Sequence, residues 1–252
     1  MPMQKQCRLL FRESLAPDVV SMTLEAGELA QSAKAGQFVN VSCGDGLLLR
    51  RPISICDVQG TFLRLVFQVK GEGTTWLSQR QVGDVLDVLG PLGHGYTFPE
   101  TGKVLVVGGG IGVPPMLYTA KSAPNGAVAA VGFRNAEAAI LLQDFEQAGC
   151  PIRVATDDGS LGYHGFVDAL VRDYLEKDQE ISAVMACGPK PMLKNVWKVA
   201  QPFQIPVYVS MEERMGCGIG ACLVCACKVA GHYQHVCKDG PVFPAEEVDW
   251  DE

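Results

Sequence analysis

Histidines and clustered basic residues are scarce in this sequence, and this scarcity limits the chemistry that the chain can perform. Only four histidines occur among 252 residues, so neither a histidine-rich cleft nor a pair of catalytic residues is indicated. Acidic residues outnumber basic ones by 28 to 21, which gives a formal net charge of −7. Because no basic patch is available to offset phosphate charge, nucleic acid is excluded as a predicted partner.

Long apolar runs are also missing. No run reaches the ~18 residues that a membrane-spanning helix requires. The segment from Met1 to Cys7 lacks the apolar core of a secretory signal peptide. Five of the ten cysteines follow Gly216, whereas the other five are scattered singly. We therefore expect a cytoplasmic protein with no membrane partner and with one specialised cysteine site.

Four cysteines near the C-terminus have the spacing of an iron–sulfur site. Cys217, Cys222, Cys225 and Cys237 form the pattern C-x4-C-x2-C-x11-C, which matches the way plant-type loops bind a [2Fe–2S] cluster. Soft, anionic thiolates are the ligands that such a cluster needs. The glycines of this segment let the backbone turn its N–H groups toward the sulfurs. These glycines are Gly216, Gly218 and Gly220.

Zinc, disulfides and unligated thiols are the alternatives for these cysteines. Structural zinc sites usually use two C-x2-C pairs, whereas the first spacing here is x4. Disulfide frameworks are typical of small secreted domains. Cys227, two residues after Cys225, is expected to point away from the cluster along a short strand, as an ordinary buried thiol.

Residues 1–100 have the pattern of a small antiparallel β-barrel. Short apolar runs with β-branched residues alternate with turn residues, and little helix is indicated apart from 73–79. About six strands at this spacing predict a barrel domain. The predicted strands are 7–11, 19–24, 37–42, 47–55, 61–69 and 85–88.

Two segments of this barrel could bind a phosphorylated flavin. Arg51, in the sequence Arg51-Pro52-Ile53-Ser54, could pair with a diphosphate, and the Ser54 hydroxyl could bond the flavin ring. Gly73 and Thr74, at a helix start, would offer backbone N–H groups to the same phosphates. An Arg-Pro pair followed by a serine is more often an ordinary strand edge, so the motif alone is a weak signal.

Residues 101–210 alternate strand and helix. This alternation predicts an α/β domain with an open parallel sheet and a ligand at the carboxyl ends of its strands. A glycine-rich turn after the first strand, followed by prolines that suit a helix start, would present N–H donors to a diphosphate. Its glycines are Gly108, Gly109, Gly110 and Gly112. The predicted strands are 104–107, 127–133, 152–155, 181–186 and 207–210, and the later helices are 136–148, 165–175 and 190–200.

Together these motifs resemble the ferredoxin–NADP reductase superfamily, in which the barrel carries FAD and the α/β domain binds the nicotinamide nucleotide. Ile53 stands where this superfamily more often has a tyrosine that stacks on the flavin. Cys187-Gly188-Pro189 matches the segment that the superfamily places beside the nicotinamide, although a lone cysteine is ordinarily a buried thiol. Asp157, with Asp158, would repel the 2′-phosphate of NADP and favours NAD, unless both aspartates belong to a solvated turn.

Residues 211–252 indicate one family within this superfamily. The sequences Glu-x-Arg-Met-x-Cys-Gly-x-Gly-x-Cys-x-x-Cys and Cys-x-Asp-Gly-Pro-Val-Phe closely resemble the electron-transfer subunits of the NAD-dependent dihydroorotate dehydrogenases of pyrimidine synthesis, a family that Ile53 also fits. The resemblance implies a segment that binds a [2Fe–2S] cluster through Cys217, Cys222, Cys225 and Cys237. It also implies that FAD is contacted by Arg51, Pro52, Ile53, Ser54, Val66, Phe67, Gln68, Gly73 and Thr74.

The same resemblance implies a function. An FMN-containing catalytic subunit would oxidise dihydroorotate, and electrons would pass through the cluster and FAD to NAD. Two copies of each subunit would form a heterotetramer, and this chain would act as an electron relay with no catalytic residue of its own. One alternative is an NAD(P)H reductase subunit of another complex, of the ferredoxin:NADP oxidoreductase or sulfide dehydrogenase type. Another is a zinc-stabilised binding module without redox chemistry.

Overall fold

Six antiparallel strands close into a barrel in the N-terminal part of the chain, in a computed structural model that describes residues 2–44 and 46–251. They are β1 (Met3–Ala16), β2 (Val19–Glu25), β3 (Phe38–Val41), β4 (Arg51–Gln59), β5 (Phe62–Gln68) and β6 (Val85–Leu92). Their order around the barrel is β1-β2-β5-β4-β3-β6. In β6 buried and more exposed residues alternate, as expected of a strand with one face toward a core. The predicted barrel is confirmed.

The prediction that a strand runs from 47 to 55 was wrong at its start. Strand β4 begins at Arg51, and its pairing with β3 begins there, opposite Val41. Leu48 and Leu49, which suggested a strand, are 96% and 48% exposed and face solvent, whereas Leu47 packs against the barrel core. Gly46, at φ 87°, turns the chain before it reaches β4.

The second part of the chain is an α/β domain around a parallel sheet, as predicted. Its parallel strands are β7 (Lys103–Gly109), β8 (Ala127–Phe133), β9 (Ile152–Thr156), β10 (Tyr163–His164), β11 (Ile181–Cys187) and β12 (Val207–Ser210). The helices of the chain are α1 (Glu28–Gln31), α2 (Glu72–Ser78), α3 (Val113–Ser122), α4 (Leu142–Gln147), α5 (Val167–Lys177) and α6 (Lys190–Ala200). Strand β7 lies between β8 and β11 and is almost wholly buried, which explains its continuous apolar sequence.

The predicted helix over 136–148 was wrong in its extent. Only a 3₁₀ turn at Ala136–Ala138 and the short helix α4 form there. Leu141 has the left-handed φ of 63° and interrupts the helix, while its side chain and that of Ile140 are buried in the core. Tertiary packing of these two residues therefore overrides the helical pattern.

The C-terminal segment is attached to both preceding parts. A hairpin of β13 (Ala226–Val229) and β14 (His232–His235) follows the cysteine loop, and β15 (Val242–Pro244) pairs antiparallel with β12 at the sheet edge. The N–H of His94, just after β6, donates to the carbonyl of Gly240 at 2.6 Å. The cysteine segment is thereby held between the barrel and the sheet.

Polar contacts also join the barrel to the α/β domain. Lys121 of α3 pairs with the buried carboxylate of Asp57 on β4, and the Tyr118 hydroxyl donates to the Ala33 carbonyl at 2.9 Å. Arg64 of β5 pairs with Asp144 of α4. Within residues 2–44 and 46–251, no helix is both long and apolar enough to cross a membrane.

Candidate cofactor sites

The loop that carries the first three cysteines points backbone N–H groups at sulfur. The Sγ of Cys217 accepts from the N–H groups of Ile219, Ala221 and Cys222 at 3.5, 3.2 and 3.4 Å. The Sγ of Cys237 accepts from Gly220 at 3.1 Å. Gly218 and Gly220, with φ of 73° and 77°, allow this wrapping. The donors suit sulfur atoms that carry negative charge.

The four cysteines lie in two pairs. Cys217 and Cys222 are adjacent, since the Cys217 N–H donates to the Cys222 Sγ at 3.4 Å, and the Cys225 thiol lies beside that of Cys237. Among the described residues, no group of three or more His, Cys, Asp or Glu is arranged to hold a metal ion. A [2Fe–2S] cluster has two irons that share four thiolates, so two pairs of soft ligands fit it in number and in chemistry.

The pKa values of two of these thiols are displaced in opposite directions. Burial acts to raise the pKa of Cys217, but the N–H donors of Ile219, Cys222 and Ala221 outweigh it and lower the pKa to about 6. Burial, together with the neighbouring Cys225, raises the pKa of Cys237 to about 12. Because iron binds the thiolate, Cys217 is prepared for ligation and Cys237 must lose its proton as the cluster binds.

Cys227 lies on β13 opposite Gln234 and is half-buried against the core rather than fully buried. Like the other nine cysteines, it forms no disulfide. Its place on a short strand is as expected, whereas the expected full burial was wrong.

The two predicted flavin segments flank an opening in the barrel wall. On β4, the first residues pair with β3, from Arg51 opposite Val41 to Ser54 opposite Phe38. On β5, Val66, Phe67 and Gln68 pair with β2. The described pairing between β4 and β5 ends at Ile55 and Leu65. The strands therefore separate where the sequence predicts FAD. Ile53 and Phe67 are buried in the barrel core, whereas Arg51, Pro52, Ser54 and Gln68 are half-exposed.

The side chain of Arg51 lies against the start of α2. A Cβ built on Gly73 would overlap the Nε of Arg51 and lie 2.5 Å from its Cζ, so the guanidinium rests on the glycine backbone. Thr74 caps the helix, since its Oγ1 accepts from the N–H groups of Lys70 and Gly71 at 2.9 and 3.1 Å. The structure thus unites two motifs that are separated by a whole strand in the sequence.

A cleft of about 830 Å³ lies between the barrel motif and the segment that precedes the cysteine loop. One wall includes Arg51 and Pro52, and the other includes Glu212 and Met215. The predicted flavin site and the predicted cluster site are thus neighbours in space.

The glycines after β7 meet the loop after β11. The turn Gly110–Gly112 leads directly into α3. A Cβ on Gly112 would lie 2.7 Å from the Gly188 nitrogen, and one on Gly109 would overlap the Met192 sulfur. Side chains would force these loops apart, so glycine is required for their close approach at the carboxyl ends of β7 and β11.

Cys187 and Asp157 stand at the same edge of the sheet. Burial raises the pKa of Cys187 to about 12 and outweighs its hydrogen bond with Ser210, so this thiol is neutral near pH 7. Asp157 is exposed just after β9, and its N–H donates to the Phe133 carbonyl at 3.1 Å. The hydroxyl and N–H of Ser160 lower the pKa of the adjacent Asp158, which is therefore an anion.

Sequence reasoning missed two features of the site. Asn40 is buried in β3 with no hydrogen-bond partner for its amide among the described residues, although a lone amide inside Phe-Val-Asn-Val could have drawn notice. Three apolar residues of the cysteine loop are exposed to solvent. Their exposed fractions are 52% for Ile219, 78% for Leu223 and 57% for Val224. Neither feature is marked by a spacing rule.

Both the cysteine segment and the whole chain are similar to known proteins. Residues 212–249 match the family described as the iron-sulfur cluster binding domain of dihydroorotate dehydrogenase B. The sequence is 40% identical to the "Dihydroorotate dehydrogenase B (NAD(+)), electron transfer subunit" of Geobacillus thermodenitrificans, over 97% of this chain and 98% of that protein. The subunit of the same name from Bacillus pumilus is 42% identical, over 95% and 96% of the two chains.

Among solved structures, the NADH-dependent reduced ferredoxin-NADP oxidoreductase contains a similar chain. The TM-score is 0.89 at 31% identity, and the match covers 98% of this chain and 91% of that one. Phthalate dioxygenase reductase matches with a TM-score of 0.61 at 19% identity, over 79% of this chain and 64% of that chain, which indicates a shared fold.

Proposed function

This chain belongs to the family of dihydroorotate dehydrogenase B electron transfer subunits, and on that premise we propose how its parts carry electrons. The subunit works with a separate catalytic subunit, which oxidises dihydroorotate in pyrimidine synthesis. We propose that this partner contains FMN, that two copies of each subunit assemble, and that electrons pass through the cluster and FAD to NAD. Bound flavin would link the two kinds of transfer, because it can exchange a hydride with NAD and single electrons with the cluster.

We assign the cluster to Cys217, Cys222, Cys225 and Cys237 in the segment 211–252. The N–H donors of the loop would stabilise the negative charge on sulfur. The pairing of the four thiols supports two ligands for each iron. This arrangement, in which a preformed loop points donors at paired thiols, is the observation that carries the proposal.

We assign FAD to the barrel, residues 1–100, and NAD to residues 101–210. Arg51 and the N–H groups of Gly73 and Thr74 would hold the diphosphate, and the half-exposed Ser54 and Gln68 would border the flavin ring at the opening between β4 and β5. In the α/β domain, Gly108 to Gly112 would admit the NAD diphosphate to the start of α3.

The remaining NAD contacts would come from two neighbouring loops. Cys187 and Gly188 would border the nicotinamide at the carboxyl end of β11. Asp157 would repel a 2′-phosphate, which favours NAD over NADP.

We further propose that the catalytic subunit docks on the exposed apolar tip of the cysteine loop, formed by Ile219, Leu223 and Val224. Exposed apolar side chains that cluster on one loop mark interaction surfaces. Docking there would bring the partner's cofactor next to the cluster. None of the ten cysteines forms a disulfide, which supports a reducing, cytoplasmic location.

The test compares two cysteine variants of the purified chain, mixed with an FMN-containing dihydroorotate dehydrogenase. Dihydroorotate should reduce NAD only in the mixture. Cys222→Ser should lose the iron absorbance and the NAD reduction while keeping FAD. Cys227→Ser, the matched control, should keep all three. Retention of the iron absorbance by Cys222→Ser would refute the ligand assignment.

A second candidate function is a reductase subunit of the ferredoxin-NADP oxidoreductase type, which the TM-score of 0.89 with such a chain favours. The same experiment distinguishes them. A coloured chain that oxidises NADH with an artificial acceptor, yet gains no dihydroorotate-dependent activity with the catalytic subunit, would support this second function.

A further inference from the structure

Asn40 lies on β3, and its side-chain amide is buried. It is 1% exposed, and neither its Nδ2 nor its Oδ1 has a hydrogen-bond partner among the described residues. Buried polar side chains are nearly always hydrogen-bonded, since an unpaired one loses its hydration and gains nothing in return. An orphaned amide that donates and accepts nothing therefore points to a group that binds beside it.

The direction of this side chain follows from the sheet register. Asn40 of β3 lies opposite Pro52 of β4 and Leu89 of β6, so these three side chains share one face of the barrel wall. Val39 and Val41, the neighbours in sequence, belong to the barrel core. Because successive strand residues alternate faces, Asn40 points out of the barrel.

The cysteine loop covers Asn40 on that outer face. A Cβ built on Gly218 would overlap Nδ2 of Asn40 and lie 3.5 Å from Cδ1 of Leu92, so the amide packs directly on the backbone next to Cys217. Strand β4, which carries Arg51 to Ser54, is the immediate neighbour of β3. Asn40 thus stands between the proposed FAD opening and the proposed cluster loop.

We propose that the Asn40 side-chain amide donates a hydrogen bond to a sulfur of the bound [2Fe–2S] cluster and raises its reduction potential. The inference rests on the proposed function, since it needs a cluster in the Cys217 loop. The backbone donors of residues 219 to 222 serve the sulfurs from within the loop. Asn40 adds a donor from the barrel side. A reduced cluster carries one more negative charge, so a donor stabilises it more than the oxidised form.

The test is a redox titration of the cluster-loaded chain, followed by electron paramagnetic resonance of the reduced cluster. Asn40→Leu removes the donor at nearly constant volume, and the equilibrium constant for cluster reduction should fall by up to about tenfold, which is ~59 mV for one electron. Asn40→Asp places a carboxylate at the same point and should lower the potential further. Leu92→Met, which perturbs packing on the same glycine without a polar change, should leave the potential unchanged.

The outcomes separate this inference from the proposed function. If the wild-type chain shows no [2Fe–2S] signal, both are refuted. If the signal is present and Asn40→Leu keeps the wild-type cluster potential, or shifts only the flavin potential, the inference alone is overturned.

A measurement on the wild-type chain covers the case in which the variants do not fold. Asparagine labelled with ¹⁵N at the side-chain nitrogen should give a hyperfine coupling to the reduced cluster in pulsed resonance spectra. No such coupling means that the amide does not contact the cluster.

Discussion

Replacing Gly73 with alanine tests the proposed FAD site without touching a charged residue. The new methyl group would occupy the space of the Arg51 guanidinium, 2.5 Å from its Cζ and 2.6 Å from its Nη2. The arginine has a flexible side chain, so we expect it to swing away while the helix stays intact. Alanine is favoured over glycine in helices by up to ~1 kcal/mol, so the fold should not be weakened.

The expected loss follows from the hydrogen bonds that Arg51 would make to the diphosphate. A hydrogen bond to a charged group contributes about 1.5–3 kcal/mol. Displacing Arg51 should therefore weaken FAD binding by roughly 10- to 150-fold, because 1.4 kcal/mol corresponds to a factor of about ten.

The assay is a fluorescence titration of flavin-free chain with FAD, combined with thermal unfolding. Gly71→Ala is the matched control, since Gly71 has an extended φ of −158° and a Cβ there would meet nothing within 4 Å. The reasoning is refuted if Gly73→Ala and Gly71→Ala bind FAD with equal affinity.

Two further substitutions test the partner surface and the domain contact. Leu223→Asp places a charge on the apolar loop tip and should weaken binding to the catalytic subunit at least about tenfold. Val82→Asp, at a similarly exposed turn, is the control and should leave the affinity unchanged. Calorimetric titration measures both affinities, and equal values would contradict the docking surface. Lys121→Ala leaves the Asp57 carboxylate, with 6% of its side chain exposed, without its cation, and should destabilise the chain by about 1–3 kcal/mol. Thermal unfolding should show a clearly lower midpoint than for Lys177→Ala, whose lysine side chain is 72% exposed; equal midpoints would argue against the domain contact.

Local rules predicted those parts of the molecule in which neighbours in sequence determine the outcome. The spacing of Cys217, Cys222 and Cys225 is such a case, because a loop that wraps its N–H groups around sulfur is built from consecutive residues. The continuous apolar strand β7 and its glycine turn are another, since a buried parallel strand imposes its composition directly.

Local rules failed where distant contacts decided the conformation. The helix predicted over 136–148 breaks because Ile140 and Leu141 are buried in the core. Strand β15, which the sequence pattern did not indicate, has only three residues and forms because the edge of β12 offers it hydrogen bonds.

The sequence by itself determined the barrel, the α/β domain and the cysteine motif, because periodicity and spacing are local properties that can be read from neighbouring residues. Only the tertiary structure decided how the sites meet. It rests Arg51 on Gly73, separates β4 from β5 at the proposed flavin site, and sets the buried side-chain amide of Asn40 against Gly218. These contacts join residues that are far apart in the chain, and their energies depend on burial and hydrogen-bond geometry, which exist only after folding.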